Sequence, residues 1–185
     1  MPDSDDQNDS QTRSQILDYI KTNPGVHFRK ISKELGLAMG QIQHHLSVLE
    51  KTGRIKSSKI NFRRHYYPAE IIDEEHKVIL AFLTNETILD ILLFLIEHAD
   101  STQSEIADFK GFATPTISWH MSRLIDANIV SARKDGKTVR YSIKGDAKNL
   151  GVLLKTYHPN IWNKITSRFA DLFFDLSGEE DEETS

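Results

Sequence analysis

The chain of 185 residues is long enough for one domain of average size or two small ones, and 38% of its residues are apolar, which suffices for modest cores. It contains no cysteine, which excludes disulfides, thiolate zinc sites and cysteine nucleophiles. The net charge of −4 is unevenly spread: residues 12–68 hold eleven basic against three acidic side chains, a charge of +8, whereas residues 69–145 come to −4.

Both ends of the chain are acidic. Residues 1–11 hold four acidic side chains and residues 178–185 hold five, and neither segment contains Lys or Arg. This composition is typical of solvated, disordered tails, so we predict disorder in both segments. The N-terminal segment also lacks the basic and apolar regions of a secretory signal, and we expect a cytoplasmic protein.

Residues 12–68 predict three helices followed by a β-hairpin. The stretch TRSQILDYIKT opens with a Thr-x-x-Gln capping box, has apolar residues at helical spacing and ends at NPG. A short second helix, FRKISKELG, ends at its glycine, and after a three-residue turn Ile42, Leu46 and Leu49 give a third helix its apolar face. The alternating segment RIKSSKINFRRHYYP then predicts two strands joined by a turn.

The most apolar window of the chain, residues 78–96, is interrupted by the polar residues TNET and by Asp90. A membrane-spanning helix requires a continuous apolar run of about 20 residues. We therefore predict a buried helix here and no association with a membrane.

The chain repeats itself with a constant offset of 75 residues. QIQHHLSVLEKTG returns as TISWHMSRLIDAN, and matching positions continue without a gap over about residues 16–67. The second copy has a Thr102-x-x-Glu105 capping box, and its Asp135-Gly136 pair is a strong type I′ hairpin signal. Two copies of a unit of about 50–60 residues indicate a tandem duplication rather than a solenoid.

The order helix, helix, helix, hairpin in each copy predicts a winged helix-turn-helix. We expect a mainly α protein with small β-hairpin wings, built from tandem domains. A first winged helix-turn-helix domain is predicted at residues 12–68, a linker or helix with a second such domain at 69–145, and C-terminal helices at 146–177.

The third-helix segments MGQIQHHLSVLEKTGRI and TPTISWHMSRLIDANIV resemble those of the ArsR and MarR classes of winged-helix regulators, with their Ser/Thr-x-x-Ser/Gln-x-His-Leu-x-x-Leu-x-x-x-Gly pattern. Residues 12–145 look like the archaeal regulators that carry two such domains in one chain. The resemblance implies sequence-specific binding to double-stranded DNA and transcriptional control. The chain departs from the pattern at Asn128 and Trp119, and it lacks the cysteine motif of metal-sensing ArsR members, so metal sensing is not implied.

In the first copy, the polar face of the third helix is the candidate DNA-reading surface, because this face enters the major groove. Gln can pair with adenine through two hydrogen bonds, and the basic residues of the wing fit contact with phosphate or with the minor groove. The alternative is a merely solvated helix face and a charged hairpin; the +8 charge favours DNA. The candidates are Gln41, Gln43, His44, Ser47, Lys51, Lys59, Arg63 and Arg64.

The second copy offers a weaker set of candidates. Its unit is acidic, and Trp119 stands on the third helix, where an exposed Trp more often marks a protein interface than a groove contact. Packing of Trp119 into the core is the alternative. We expect weaker DNA contact, or none, from the candidates Thr116, Ser118, Arg123, Lys134, Lys137 and Arg140.

No residue pattern indicates catalysis or a bound metal. His45 and His120 lie beside the apolar stripe of the third helices, where a histidine usually packs between helices, and no second ligand is at helical spacing. A P-loop, a G-x-S-x-G motif and an H-E-x-x-H motif are all missing. We predict no enzymatic activity, no cofactor and no metal site.

A long apolar stripe near the C-terminus predicts an interface. Such a stripe can cover the domains of its own chain or pair with a second chain, and we favour a homodimer, in which two recognition helices meet two half-sites. The stripe and its flanking Trp are Ile161, Trp162, Ile165, Phe169, Leu172, Phe173 and Leu176.

Winged helices also bind proteins, which leaves a second function open. The alternative function for a tandem winged-helix chain is that of a protein-interaction scaffold in chromosome segregation or in the transcription machinery. The concentration of +8 in one copy is the feature that favours DNA over a scaffold.

Overall fold

The computed structural model describes residues 4–145 and 147–157 and divides the chain into two compact units, Met1–Asn85 and Glu86–Ser185. Each unit consists mainly of helices around one small antiparallel sheet, which confirms the predicted fold class. The two units are described separately below.

Unit 1 contains four helices and three strands. In chain order they are α1 Ser4–Thr22, β1 Val26–His27, α2 Phe28–Leu35, α3 Met39–Lys51, β2 Ile55–Ile60, β3 Arg63–Pro68 and α4 Glu74–Leu83. The strands pair antiparallel in the order β1-β3-β2. Ile60 pairs with Arg63 at the tip of the β2–β3 hairpin, which is the wing of unit 1.

The core of unit 1 is aliphatic and lies between the first three helices and the sheet. Helix α2 ends at Gly36, which adopts a left-handed conformation (φ 64°) and donates its N–H to the carbonyl of Ser32. This cap lets the chain turn sharply into α3, so that the apolar faces of both helices meet α1. The most deeply buried aliphatic side chains here are Ile16, Ile20, Val26, Ile31, Ile42, Leu46 and Ile55.

Helix α4 is part of unit 1; the sequence predicted a linker or helix, followed by the second winged helix-turn-helix domain, at residues 69–145. A Cβ atom on Gly25 would lie 2.6–2.7 Å from the backbone of Leu80 and Ala81, so α4 packs directly on the bare backbone of Gly25. The buried hydroxyl of Tyr67 also donates to the carbonyl of Lys77 over 2.9 Å. The contact between Gly25 and Leu80 joins residues far apart in the sequence, which is why the sequence pattern did not assign α4 to unit 1.

Unit 2 repeats the plan of unit 1. Its elements are α5 Glu86–Glu97, β4 Ser101–Thr102, α6 Gln103–Lys110, α7 Thr114–Asp126, β5 Val130–Asp135, β6 Thr138–Ile143 and α8 Ala147–Tyr157, with strand order β4-β6-β5. From β4 to β6 every element has the bounds of its unit 1 counterpart plus 75. The predicted capping box is present, because Thr102 and Glu105 bond each other's backbone N–H groups.

Three local expectations were wrong. Helix α1 begins at Ser4, so most of the predicted disordered segment 1–11 is helical, and an ion pair between Asp9 and Arg13 at i, i+4 supports this extension. The single helix predicted over 78–96 is two helices, because the Thr84 hydroxyl bonds the carbonyl of Ala81 at the end of α4. The turn of the second wing is residues 136–137, since Asp135 still pairs with Thr138.

The C-terminal expectations fall largely outside the described residues. Helix α8 covers part of the predicted helical segment 146–177. The apolar stripe from Ile161 to Leu176 and the acidic segment 178–185 both lie beyond the part of the chain that the structure describes. Within residues 4–145 and 147–157, no single helix is long and apolar enough to span a membrane; α4 and α5 reach that length and hydropathy only when taken together across their break.

Candidate nucleic-acid interface

Helix α3 has one buried and one exposed face. Ile42, His45, Leu46 and Leu49 are buried in unit 1. The exposed face offers amide, imidazole and hydroxyl groups and one ammonium group, which are groups able to bond base edges and phosphates. The structure exposes all five predicted contact residues of this helix: Gln41, Gln43, His44, Ser47 and Lys51.

The wing of unit 1 adds positive charge next to this helix. Lys59 and Arg63 are exposed, and within the described residues the side chain of Arg63 makes no hydrogen bond or ion pair. An arginine in this position can turn its guanidinium toward a phosphate without breaking an internal contact. Lys59 and Arg63 are therefore the predicted wing residues best placed to bind a ligand.

Arg64, by contrast, is part of a network that joins the wing to α3. Its Nε donates to the hydroxyl of Ser57 over 2.7 Å, and its Nη2 lies 3.1 Å from Oε1 of Glu50. The Ser57 hydroxyl donates to the same carboxylate oxygen over 2.6 Å. Because Glu50 is in the last turn of α3, this network fixes the wing against the helix, and we interpret Arg64 as a positioning residue.

A groove of about 420 Å³ runs between α3 and the wing. One side is polar and belongs to the network and to the exposed face of α3, whereas the floor is apolar. The lining residues are Phe28, Gln43, Leu46, Ser47, Glu50, Arg64 and Tyr66.

The corresponding surface of unit 2 is different. Trp119 is 58% exposed, so it does not pack into the core, and the guanidinium of Arg123 lies 4.5 Å from the centre of its ring. Thr116 and Ser118 are exposed beside it on α7. Through this cation–π contact, the guanidinium of Arg123 binds a residue of its own helix.

The network that joins helix and wing in unit 1 has no polar counterpart in unit 2. The positions equivalent to Glu50, Ser57 and Arg64 are Ile125, Ala132 and Val139, as the offset of 75 requires. Ile125 is 37% and Val139 40% exposed. Unit 2 therefore presents apolar side chains where unit 1 presents a charged network.

In the second wing, Lys134 and Lys137 are exposed, whereas Arg140 has internal partners. Its Nε donates to Asp135 over 2.7 Å, and its Nη1 donates to the carbonyl of Asp100 over 2.9 Å. The hydrogen bond from Arg140, with its charge, holds the pKa of the Asp135 carboxyl below its usual range. We therefore interpret Arg140 as a structural residue of the sheet rather than a residue available to DNA.

His65 has the role in unit 1 that Arg140 has in unit 2. It occupies the equivalent position, and its Nδ1 donates to the carbonyl of Gly25 over 2.6 Å. Gly25 and its equivalent Asp100 both have positive φ, 85° and 65°. The same left-handed backbone position is thus held by a side chain of the central strand in both units.

His27 is a residue of the interface region that the sequence did not reveal. It caps α2, because its Nδ1 accepts the N–H of Lys30 over 3.2 Å. Burial lowers the pKa of His27, and the charge of Arg63 lowers it further. An accepting Nδ1 must be unprotonated, so this cap depends on neutral His27. Its only sequence signal is that Thr102, a common capping residue, stands at the equivalent position.

Three residues with metal-binding side chains converge at the start of unit 1. Asp9 of α1 lies beside His44 and His45 of α3, with one ligand atom of each within 4.8 Å of the others. Asp9 Oδ1 is 3.6 Å from Nε2 of His45, and Arg13 already pairs with the same carboxylate. A cation in this position would have to compete with the Arg13 guanidinium. The sequence pattern missed this cluster because Asp9 was assigned to a disordered tail.

The buried histidines of α3 and α7 share one property. Burial lowers the pKa of His45; Arg13 and His44 act in the same direction, whereas Asp9 opposes them. Burial and the charge of Arg123 lower the pKa of His120. In both rings Nδ1 is buried without a hydrogen-bond partner among the described residues. Both histidines are therefore neutral core residues near pH 7.

Family models match both units. Residues 10–79 match a model described as an N-terminal HTH domain, and residues 84–131 match one described as winged helix-turn-helix DNA-binding. These matches confirm the expected resemblance to winged helix-turn-helix regulators and the presence of two such domains.

Two relatives are named as regulators. The chain is 32% identical over 134 residues, 72% of its length, to the uncharacterized HTH-type transcriptional regulator MJ1398 of Methanocaldococcus jannaschii. It is 39% identical over 66 residues, 36% of its length, to a probable mercury resistance operon repressor of Streptomyces lividans. The matched segments span 34% of the first relative and 51% of the second.

Among solved structures, the chain is similar to HlyU from Vibrio cholerae N16961, with a TM-score of 0.42 and 23% identity. That match covers 48% of this chain and 97% of HlyU. NolR from Sinorhizobium fredii matches with a TM-score of 0.39 and 31% identity over 45% of this chain and 85% of that one.

Proposed function

We propose that this tandem winged helix-turn-helix protein is a transcriptional regulator that binds double-stranded DNA chiefly through helix α3 and the wing of unit 1. One observation carries the proposal: apart from Met39 and Gly40, the exposed residues of α3 are polar and include no acid, the partly buried Glu50 is paired with Arg64, and the helix adjoins a basic wing in a segment of charge +8. A polyanion is the ligand that such a surface attracts.

In the proposed complex, α3 lies in the major groove and the wing lies along the adjacent backbone or minor groove. Gln43 is central on the exposed face and can bond an adenine through two hydrogen bonds, while Gln41, His44 and Ser47 contact neighbouring base edges or phosphates. Lys51, Lys59 and Arg63 neutralise phosphates. The Glu50–Arg64 contact keeps the wing at a fixed distance from the helix, so that both can bind at once.

Unit 2 contributes little to DNA binding in this proposal. Of its candidates, Arg123 and Arg140 have internal partners, which leaves Thr116, Ser118, Lys134 and Lys137. The exposed Trp119, Ile125 and Val139 favour a second candidate function for this unit, contact with another protein. A scaffold that uses both units in this way would leave the basic surface of unit 1 unexplained.

We further propose that the protein acts as a homodimer through the apolar stripe of residues 161–176, and in the cytoplasm, where a regulator of this kind meets its DNA. Regulators with one reading helix per protomer gain affinity by meeting two half-sites. The proposal does not include mercury sensing: mercury prefers thiolate ligands, and the 185 residues contain no cysteine.

The proposal is tested by selecting duplexes from random-sequence DNA with the full chain and measuring binding by fluorescence anisotropy across a salt series. Arg63→Ala should weaken binding to all duplexes and reduce the salt slope by about 1, whereas Gln43→Ala should lose about 1–3 kcal/mol of discrimination between selected and scrambled duplexes. Lys134→Ala is the matched control in unit 2 and should change neither. If no duplex is enriched, or if Lys134→Ala has the larger effect, the assignment to unit 1 is wrong.

A further inference from the structure

The tip of the first wing carries a large apolar side chain in open solvent. Phe62 is 95% exposed, the highest value of any large hydrophobic residue in the described part of the chain. An aromatic ring of this kind gains nothing from the fold of unit 1, since it is nearly as exposed as in an unfolded chain. Its presence is not explained by packing.

Backbone preference does not explain Phe62 either. Ile60 pairs with Arg63, which leaves Asn61 and Phe62 as a two-residue loop, and both have positive φ, 49° and 63°. Such type I′ loops favour Asn-Gly, and a bulky residue at positive φ is strained. In the second wing the equivalent loop is Gly136 and Lys137. Gly at this position would relieve the strain, and a strained, exposed aromatic residue points to a functional role.

The surroundings of Phe62 indicate the chemistry of its partner. The hairpin from residue 55 to 68 contains four basic and no acidic side chains: Lys56, Lys59, Arg63 and Arg64. An apolar surface of a protein partner would not require this charge. A nucleic acid accounts for both features, because its phosphates can bind the basic side chains and its base faces can stack on the ring.

We propose that Phe62 is a wedge that enters the minor groove and inserts between adjacent base pairs beside the major-groove site contacted by α3. This inference rests on the proposed function of unit 1. Insertion unstacks one base step and bends the duplex toward the major groove, while Lys59 and Arg63 hold the flanking phosphates. The wedge also adds specificity without a base-edge contact, because pyrimidine–purine steps unstack more readily than others.

The test uses the full-length protein and a short duplex recovered from random sequence, with 2-aminopurine placed in turn at each position. Unstacking raises the fluorescence of this base. Wild-type protein should raise it several-fold at one or two adjacent positions, and Phe62→Leu should keep this signal. Phe62→Gly should abolish the signal and weaken binding roughly tenfold, in line with the loss of one stacked base. Phe62→Lys, which introduces the residue of the second wing, should also abolish the signal, whereas its added charge offsets part of the loss in affinity.

Arg63→Ala is the matched control, because it should weaken binding but keep the fluorescence signal at saturating protein. If Phe62→Gly binds with an unchanged signal, the wedge is wrong while the proposed function stands. If the wild-type chain recovers no duplex, both are wrong. If Phe62→Gly loses binding to vesicles of phosphatidylglycerol but not to the duplex, the ring contacts lipid and the wedge is again wrong.

Discussion

The guanidinium of Arg64 lies 3.1 Å from the carboxylate of Glu50, and this contact joins the wing of unit 1 to the last turn of α3. Both side chains are partly exposed, so the pair contributes little to stability, about 1 kcal/mol or less. Its effect is on geometry, because the two DNA-contacting elements of the proposed interface are held together by it and by Ser57.

Replacing Glu50 with Ala should therefore change specificity more than stability. We expect tighter binding to scrambled duplexes at low salt, since a carboxylate is removed near the phosphates, and a smaller ratio between selected and scrambled duplexes, since the wing is released. Anisotropy titrations with both duplexes measure the ratio. Glu75→Ala removes an exposed acid from α4 and should leave the ratio unchanged; an equal change in both variants would mean that only net charge matters.

The buried His45 should make stability depend on pH. Because burial lowers the pKa of His45 in the folded state, the unfolded chain binds more protons below about pH 6.5. The contribution of neutral His45 to the free energy of unfolding is complete above that pH. It is lost as the pH falls toward the pKa of His45 in the folded state. Between about pH 7.5 and about pH 5.5, the free energy of unfolding measured in urea should fall less steeply for His45→Gln than for wild type.

Asp9 gives the internal control for this prediction. Its charge raises the pKa of His45 against the effect of burial, so Asp9→Asn should steepen the same decline. A decline that is identical in wild type, His45→Gln and Asp9→Asn would place the pH dependence in other groups.

Gly25→Ala should be strongly destabilising because α4 leaves no room for a Cβ. The new methyl group would lie 2.6 Å from a backbone atom of Leu80, at a φ of 85°. We expect a loss of about 3 kcal/mol in the free energy of unfolding from overpacking and backbone strain together. Gly36→Ala is the matched control, since it has positive φ but no atom within 4 Å of a Cβ, and it should lose only about 1 kcal/mol. Equal losses in chemical denaturation would show that α4 does not pack there.

His44 and Trp119 occupy equivalent positions on α3 and α7, and both are exposed. His44→Ala should weaken binding to a selected duplex by about 1 kcal/mol, whereas Trp119→Ala should leave it unchanged. The two variants are compared in one anisotropy series, with far-ultraviolet circular dichroism to check the fold. A larger loss for Trp119→Ala would assign DNA reading to unit 2.

The C-terminal stripe predicts the oligomeric state. Burying large apolar side chains against a second chain contributes about 1.5–3 kcal/mol each before association reduces the total. Phe169→Asp combined with Phe173→Asp should therefore convert a dimer into a folded monomer that binds DNA weakly. Light scattering on both proteins measures this. A monomeric parent and an unfolded double variant would show that the stripe packs within its own chain.

Sequence pattern alone predicted the repeat, the three helices and the hairpin of each copy, and the polar face of α3. These features depend on local spacing: apolar residues three and four apart, the Thr102–Glu105 box, and glycine at the end of α2. The same local signals occur 75 residues apart, and the element bounds follow that offset from β4 to β6. Local interactions suffice here because each helix or hairpin is formed by residues close in sequence.

Which side chains meet follows from the packing of the elements. Asp9 lies beside His45, and Arg64 pairs with Glu50. Arg140 donates a hydrogen bond to the carbonyl of Asp100, and α4 packs against Gly25. Of the predicted contact residues, Arg63 is exposed, whereas Arg64 and Arg140 have internal partners. The physical reason is that these contacts join elements distant in sequence: periodicity tells which face of a helix is buried, but a contact between two faces depends on how the helices and the sheet pack in space.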